Sequence, residues 1–329
     1  MYKEPVSEDS LSDRMNPVMA AHPETMQEAA GVPDLEGLLN APAFEHKPAA
    51  GEPRPAPAHA HDFLSFHRLN TNPFSDSVNP VFFYRTDAHD VAFIRMMMVI
   101  EHDISLGLIT GFSGTGKTLV SQMLLRNLDP ARYEPVLVLV CPNMGKTALL
   151  REILSELGIA IPKPPVATQD MLKLLSDAII NLHNNGRKLV VLIDECHFLS
   201  AESLHMIRTI SNIEIPERKL STCILLGEQR FLKRLNNPSY ESLRNRMYLR
   251  SELKPLEPNE TDQYIKFRLL VSGREAPLFD ASAVAAIHAV AGGVCRRINR
   301  ICMLALIQAF SEGKPVIDEA IITTCAKDF

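Results

Sequence analysis

The octapeptide GFSGTGKT, residues 111–118, is the most informative part of this chain. It has the spacing GxxxxGK followed by Ser or Thr, with a predicted strand at 107–110 before it and a predicted helix at 119–127 after it. Its three glycines let the backbone wrap with its N–H groups turned inward, and the helix adds the positive end of its dipole. The octapeptide therefore predicts a loop that binds the phosphates of a nucleotide.

Individual residues of this loop have distinct predicted roles. Lys117 should reach the β- and γ-phosphates of ATP, and the Thr118 hydroxyl should coordinate Mg²⁺. A second Gly-Lys-Thr, at 145–147, cannot do the same, because Val140, five positions before its glycine, lies in a predicted strand. Lys146 is therefore expected to be an ordinary helix-start residue. We expect nucleotide contacts from Gly111, Gly114, Thr115, Gly116, Lys117, Thr118 and Leu119.

A second nucleotide signature is LVVLIDE, residues 189–195. A buried strand here would deliver two carboxylates at its carboxyl end, where the ligands of open α/β sheets bind. Asp194 should hold Mg²⁺, mostly through water, and Glu195 should polarise the attacking water. Two solvated acids at a strand end are the simpler alternative, but the phosphate loop upstream favours the nucleotide interpretation.

The same signature continues as Asp-Glu-Cys-His at 194–197, which resembles a helicase motif. A helicase core needs a second tandem domain with its own arginine motif, and the residues after His197 contain none. We therefore disfavour a helicase and expect His197 to be a polar residue near the site rather than a catalyst.

The rest of the chain predicts an α/β fold. From His67 onward, five strand-like runs alternate with amphipathic helical runs, which predicts a parallel sheet sandwiched by helices. The predicted strands are 106–110, 135–141, 188–193, 222–226 and 247–253, and the helices between them are 117–127, 147–157, 169–183 and 201–213. We expect a disordered acidic tail rich in Pro and Ala at 1–62, a sheet domain at 63–255 and a small all-helical lid domain at 256–329.

Composition excludes several classes of protein. Of 329 residues, 46% are hydrophobic and 22% charged, which is ordinary for a globular protein with a sizeable core. No run approaches about 18 consecutive apolar residues, so we expect no transmembrane segment, and the amino terminus does not resemble a signal peptide. Six scattered cysteines without a CxxC pair argue against a zinc site or a disulfide framework. These features predict a cytoplasmic protein.

Charge is uneven along the chain. Residues 1–62 contain 11 acidic and 4 basic residues, so the net charge of −5 comes from the tail and the remainder is close to neutral. Whole-chain charge therefore argues neither for nor against nucleic-acid binding.

Several further stretches match one family in order. LRNRM at 243–247 is similar to the family's LRQRI, LKPL at 253–256 to its L.PL, and GGVCRRIN at 292–299 to its GGIPRLIN. With the two nucleotide signatures, they make residues 72–326 resemble the ExeA/GspA family of AAA+ ATPases, general secretion and type IV pilus-associated proteins related to transposition ATPases. The resemblance implies a P-loop sheet domain followed by a helical lid, and hydrolysis of ATP to ADP and phosphate.

The resemblance also implies roles for three arginines. Arg246 corresponds to an arginine finger that reaches the γ-phosphate of a neighbouring subunit, with Arg244 in reserve, and Arg296 to a sensor in the lid. Surface arginines without a role are the alternative. The chain departs from the family at Cys295, where a proline is usual, and at Glu228, so either Glu228 or Gln229 is the polar γ-phosphate sensor.

Two functions are compatible with these observations. The first is a homo-oligomeric ring or filament that drives or switches an envelope machinery, a secretion or type IV pilus-like apparatus, from the cytoplasm or at the inner membrane through a partner. The second is an ATPase that regulates transposition or another DNA transaction. Basic residues that could face DNA are Arg208, Arg218, Lys219, Arg230, Lys233 and Arg234, although a solvated face also explains them.

Overall fold

A computed structural model of the chain describes residues 63–75, 79–142, 144–161 and 166–329. The tail predicted at 1–62 lies outside the described residues. Among the described residues, no helix combines the length and the apolar character that crossing a bilayer requires.

In the described part of the chain, seven strands form two sheets. Their bounds are β1 Leu106–Gly111, β2 Tyr133–Leu139, β3 Lys188–Asp194, β4 Glu214–Ile215, β5 Arg218–Lys219, β6 Ser221–Gly227 and β7 Met247–Leu253. The main sheet is parallel throughout, in the order β2-β3-β6-β1-β7, and β1, β3 and β6 are buried along their whole length. The register pairs Thr110 with Gly227 and Leu139 with Asp194, so the carboxyl ends of the strands meet at one edge.

Twelve α-helices lie within the described residues. Their bounds are α1 Phe63–Phe66, α2 Asp87–Glu101, α3 Lys117–Asn127, α4 Lys146–Glu156, α5 Thr168–Asn184, α6 Ala201–Ile210, α7 Arg230–Leu235, α8 Glu241–Arg244, α9 Pro258–Val271, α10 Ala281–Ala291, α11 Cys295–Glu312 and α12 Glu319–Cys325. Helices α4, α5 and α6 contribute to the apolar core on one face of the main sheet, and α2 and α3 to the core on the other. Successive residues of β3 alternate between these cores, as a strand covered on both faces requires. The predicted sheet sandwiched by helices is confirmed.

The hairpin of β4 and β5 was not expected from the sequence. The pattern predicts a helix to residue 213, whereas α6 ends at Ile210 and the chain turns into a two-stranded antiparallel ladder that pairs Ile215 with Arg218. Pro216 keeps Ile215, the residue before it, out of helical backbone and in the extended conformation of the hairpin. The apolar spacing thus predicts a helix that is longer than α6.

The helices after β7 have a core of their own. This core contains apolar residues of α9, α10, α11 and α12, as the predicted lid requires. The side chain of Asp280 accepts a hydrogen bond from the Ala283 N–H at the start of α10, and that of Asp318 accepts one from the Ile321 N–H at the start of α12. These caps define where two of the four helices begin.

The segment at 63–75 packs with the lid helices and not with the main sheet. Leu69 and Phe74 belong to the lid core, and the ring of Phe74 meets that of Phe279 edge to face. The guanidinium of the buried Arg268 donates to the carbonyl oxygens of Pro73 and Ser75. The sequence grouped these residues with the sheet domain; the exact domain boundaries stay a prediction.

Two adjacent glycines join α10 to α11. Gly292 and Gly293 both have left-handed backbone, with φ of 59° and 72°. A Cβ on Gly292 would meet only the end of the Arg297 side chain, at 3.8 Å, whereas one on Gly293 would lie 2.0 Å from the carbonyl oxygen of Leu256. The Leu256 N–H donates to the Gly293 oxygen at 2.8 Å, so this contact ties the lid to the end of β7.

These glycines form a matched pair for a stability measurement. Gly292→Ala should cost about 1 kcal/mol, the strain of left-handed backbone alone. Gly293→Ala carries the same strain, and the backbone of Leu256 must also move, so we expect about 1–3 kcal/mol more. Urea denaturation followed by circular dichroism measures both. Equal losses would show that the contact between Gly293 and Leu256 does not constrain the lid.

Candidate functional site

The predicted phosphate loop connects the carboxyl end of β1 to the start of α3. Gly116 is the N-cap of α3 with φ of 91°, and Gly114 has φ of 86°, conformations that residues with a Cβ rarely adopt. Because α3 begins at Lys117, its unpaired N–H groups and its positive dipole end lie within the loop. Leu119 belongs to the first turn of this helix. The backbone therefore has the form of an anion-binding loop.

Lys117 lies beneath the loop. Its Nζ donates to the carbonyl oxygens of Gly111, at 3.2 Å, and Phe112, at 2.9 Å. The hydroxyl of Thr115 donates to the same Phe112 oxygen at 2.9 Å. Burial lowers the pKa of Lys117, and the nearby carboxylate of Glu195 acts in the opposite direction. The amine is thus held between the loop and the acidic side chains of the sheet edge.

Two predicted Mg²⁺ ligands from distant parts of the chain meet directly. The hydroxyl of Thr118 donates to Asp194 Oδ2 at 2.8 Å, and the other oxygen of Asp194 accepts from the Glu195 N–H, also at 2.8 Å. Asp194 is buried at the end of β3. A hydroxyl and a carboxylate at this distance form an oxygen-only donor set, which fits a hard cation such as Mg²⁺.

Glu195 occupies strained backbone beside Asp194. Its φ of 54° is left-handed, and it caps a short 3₁₀ turn, Cys196–Phe198. Burial raises the pKa of the Glu195 carboxyl, the Asp194 carboxylate raises it further, and Lys117 opposes both. The backbone thus turns this side chain sharply away from the strand at the edge where the loop lies.

A histidine with a buried side chain adjoins Glu195. The Nδ1 of His197 lies 3.2 Å from Glu195 Oε2 and accepts from the Glu228 N–H at 3.4 Å, and its Nε2 lies 4.0 Å from Glu228 Oε2. Burial lowers the pKa of His197. Among the described residues, Glu195 Oε2 and His197 Nε2 are buried atoms without a hydrogen-bond partner in the protein. Glu195, His197 and Glu228 thus form a polar group that adjoins Asp194 at the carboxyl edge of the sheet.

Of the two candidate sensors, Glu228 belongs to this polar group. Its carboxylate lies 2.9 Å from the guanidinium of Arg230. Gln229 instead donates to the carboxylate of Glu252 on β7. Glu228 therefore lies with His197 and Glu195, whereas Gln229 contacts β7, and the choice of sensor between the two stays a prediction.

The lid reaches the loop through Arg296. Its guanidinium donates to the hydroxyl of Ser113 at 2.8 Å. Its Cβ would lie only 2.5 Å from a Cβ added to Gly114, so the start of α11 packs closely against the loop. The sequence did not indicate a role for Ser113, because no motif distinguishes that position.

Arg246 lies far from this group. It precedes β7, whose first residue Met247 is in register with Leu106 at the start of β1, whereas the loop follows the end of β1. The length of β1 separates the two places by about 17 Å. The Arg246 side chain donates to the side-chain oxygen of Asn212. Arg244, the reserve candidate, donates to the Leu235 carbonyl at 3.2 Å.

Comparisons with known proteins agree with this geometry. Residues 100–235 match the AAA domain family. Over 264 residues the chain is 32% identical to general secretion pathway protein A of Aeromonas hydrophila, covering 80% of this chain and 48% of that protein. The chain thus spans about half the length of this curated relative. The resemblance seen in the sequence is confirmed.

Solved structures share the fold. The ORC2 protein of Aeropyrum pernix, described in ADPNP–ADP complexes, superposes with a TM-score of 0.56 at 16% identity, covering 79% of this chain and 72% of that one. Cdc6p of Pyrobaculum aerophilum gives a TM-score of 0.60 at 15% identity, with 78% and 70% covered. At these identities the likeness shows the fold alone.

The two Gly-Lys-Thr sequences provide a direct test of the loop. Lys117→Ala should abolish nucleotide binding, because residues 111–118 contain no other amine that could meet the phosphates. Lys146→Ala should leave it intact, since Lys146 begins α4 and pairs with Glu202 at 3.0 Å. Titration with a fluorescent ATP analogue measures both variants. Equal loss in the two would contradict the assignment of the loop.

Proposed function

Because residues 100–235 belong to the AAA domain family and the chain is a relative of general secretion pathway protein A, we propose that the protein is an ATPase. It binds ATP with Mg²⁺ and hydrolyses it to ADP and phosphate. The observation that carries the proposal is the hydrogen bond between Thr118 and Asp194 at 2.8 Å, beside the amine of Lys117. This hydrogen bond brings the phosphate loop and the LVVLIDE strand, the two nucleotide signatures of the sequence, into direct contact.

In the proposed complex, backbone N–H groups of the loop and the Lys117 amine bind the β- and γ-phosphates. Thr118 and Asp194 supply oxygen ligands for Mg²⁺. The metal, when bound, neutralises charge that develops on the phosphates. Arg296 is already in contact with Ser113 of the loop, which supports a role in closing the lid over the nucleotide.

Glu195 is the proposed group that orients and polarises the attacking water. Its buried Oε2 has no hydrogen-bond partner within the described part of the protein and is therefore able to accept from a water. The carboxylate acts in its charged form. The elevated pKa that burial and Asp194 produce makes it a better proton acceptor.

Replacing Glu195 separates binding from hydrolysis. Glu195→Gln should still bind ATP with Mg²⁺, because the loop and Asp194 are unchanged, yet hydrolyse it about 10²–10⁴-fold more slowly. Steady-state phosphate release measures the rate. The control is Glu202→Gln, the same change at the acid that pairs with Lys146, which should keep the wild-type rate. A normal rate for Glu195→Gln would exclude it as the base.

Arg246 is proposed to act on a neighbouring copy of the chain. It lies at the amino-terminal edge of the sheet, about 17 Å from the loop of its own chain, too far for a side chain to span. A γ-phosphate contact from Arg246 therefore requires a second subunit, which supports a homo-oligomeric ring or filament. A cation at that phosphate would stabilise the charge of the transition state.

Mixing two inactive variants tests this arrangement. Arg246→Ala keeps an intact loop, and Lys117→Ala keeps an intact arginine, so a mixture should recover part of the phosphate release that each lacks alone. Arg246→Ala alone should lose about 10³–10⁵-fold in rate if the finger acts as in well-studied cases. A Lys117→Ala/Arg246→Ala double variant is the control, because it supplies neither part and should not rescue either. Absence of rescue from co-assembled subunits would exclude Arg246, and Arg244 would be tested next.

At the level of the cell, we propose that the ATPase supports a secretion or type IV pilus-like machinery from the cytoplasm, peripheral to the inner membrane through a partner. The name of its 32% identical relative supports this pathway. Affinity purification of the Glu195→Gln form with ATP tests it, since that form should remain assembled. Recovery of an envelope secretion or pilus component supports the proposal.

A DNA transaction remains the alternative outcome of that purification, with a transposase and DNA recovered instead. The candidate basic residues give it little support, because several are already engaged. Arg218 pairs with Asp103, Lys219 with Glu214, and Arg230 with Glu228, while Arg234 donates to the Leu199 carbonyl. Salt-dependent retention on DNA would favour this alternative.

A further inference from the structure

His89 lies in the first turn of α2 and is buried against the phosphate loop. Its Nδ1 lies 3.2 Å from the Thr86 N–H and 2.7 Å from the Thr86 hydroxyl. A backbone N–H can only donate, so Nδ1 is the acceptor and the ring proton is on Nε2. Nε2 therefore donates to the Thr115 carbonyl, which lies at 3.0 Å.

The same ring also fills the space beneath the next loop residue. A Cβ added to Gly116 would lie 2.6 Å from His89 Nε2, so the ring and the loop are in direct contact. In a trans peptide the C=O and the following N–H point in opposite directions. Fixing the Thr115 carbonyl toward His89 therefore turns the Gly116 N–H away from the ring, into the loop where phosphate is expected.

On the side away from the loop, His89 is connected to the lid through residues 82–84. The ring of Phe83 packs on it edge to face, with centroids 5.1 Å apart. The adjacent Tyr84 donates from its hydroxyl to Gln263 on α9 at 2.6 Å, and Phe82 lies under the guanidinium of Arg268. A single short segment thus connects the lid helix α9 to the loop through His89.

We propose that His89 is a positioning residue of the ATPase, which holds the Thr115–Gly116 peptide so that its N–H is aligned for phosphate before the nucleotide arrives. It acts through the loop and does not itself contact the nucleotide. The proposal rests on the proposed ATPase function. It assigns a role to a residue that lies outside both nucleotide signatures, 26 positions before Thr115.

Two substitutions that differ by one methylene test the proposal. In His89→Asn the side chain can still accept from the Thr86 N–H but is too short to reach Thr115. His89→Gln has the extra length and an N–H donor for the Thr115 carbonyl. We expect His89→Asn to weaken ATP binding about 10–100-fold, the loss of an aligned donor to a charged group, and His89→Gln to restore most of it.

The measurement is a titration of the full chain with fluorescent ATP analogue and Mg²⁺, accompanied by steady-state kinetics. Since the aligned N–H acts on bound substrate as well as on the transition state, KM should rise in His89→Asn while kcat changes much less. A general structural defect would instead lower the melting temperature and affect Asn and Gln variants alike. His102→Asn, on the residue that follows the same helix, is the control and should bind ATP normally.

The outcomes separate this proposal from the proposed function. If the wild-type chain binds ATP and His89→Asn binds it equally well, His89 does not position the loop and only this proposal is overturned. Equal weakening in His89→Asn and His89→Gln also overturns it, because reach to Thr115 would then be irrelevant. A wild-type chain that binds no ATP would overturn both.

Discussion

The hydrogen bond from Thr118 to Asp194 depends on the register of the parallel sheet, and the rest of the site is arranged around it. The two residues are 76 positions apart in the chain, and they meet because β1 and β3, both paired with β6, end at one edge. Parallel strands buried on both faces have little freedom to slip, since a shift of one residue would exchange the two apolar cores. The sheet thus fixes the distance between the phosphate loop and the carboxylates.

Two connections extend from this edge to the lid. Arg296 contacts Ser113 directly, and the segment at 80–89 runs from α9 to the Thr115 carbonyl through Phe83 and His89. Both meet the loop within three residues of one another. A nucleotide that changes the loop would therefore act on the lid through two contacts. One is the charged side chain of Arg296, and the other is the aromatic contact of Phe83 with His89.

The opposite edge of the sheet has a different chemistry. Arg246 there contacts Asn212, next to the β4–β5 hairpin, and no part of the phosphate loop lies near it. Within the proposed function, the separation of the loop from the arginine makes one chain incomplete by itself. Hydrolysis would then depend on assembly, which is a property expected of a switch rather than of a constitutive enzyme.

The five strands of the main sheet and the phosphate loop were predictable from the sequence alone, because they depend on the local spacing of glycines, apolar residues and acids. The predicted strand at 247–253 and the predicted helix at 117–127 coincide with β7 and α3. Other features became visible only in the folded chain: the packing of the segment at 63–75 on the lid, the place of Glu228 and not Gln229 in the polar group, and the contact of His89 with the loop. These contacts join residues distant in the chain, and the periodicity that identifies a helix or a strand does not specify which of its side chains meets which. The hairpin after α6 is an intermediate case, since Pro216 indicates extended backbone at Ile215 but not the pairing of β4 with β5.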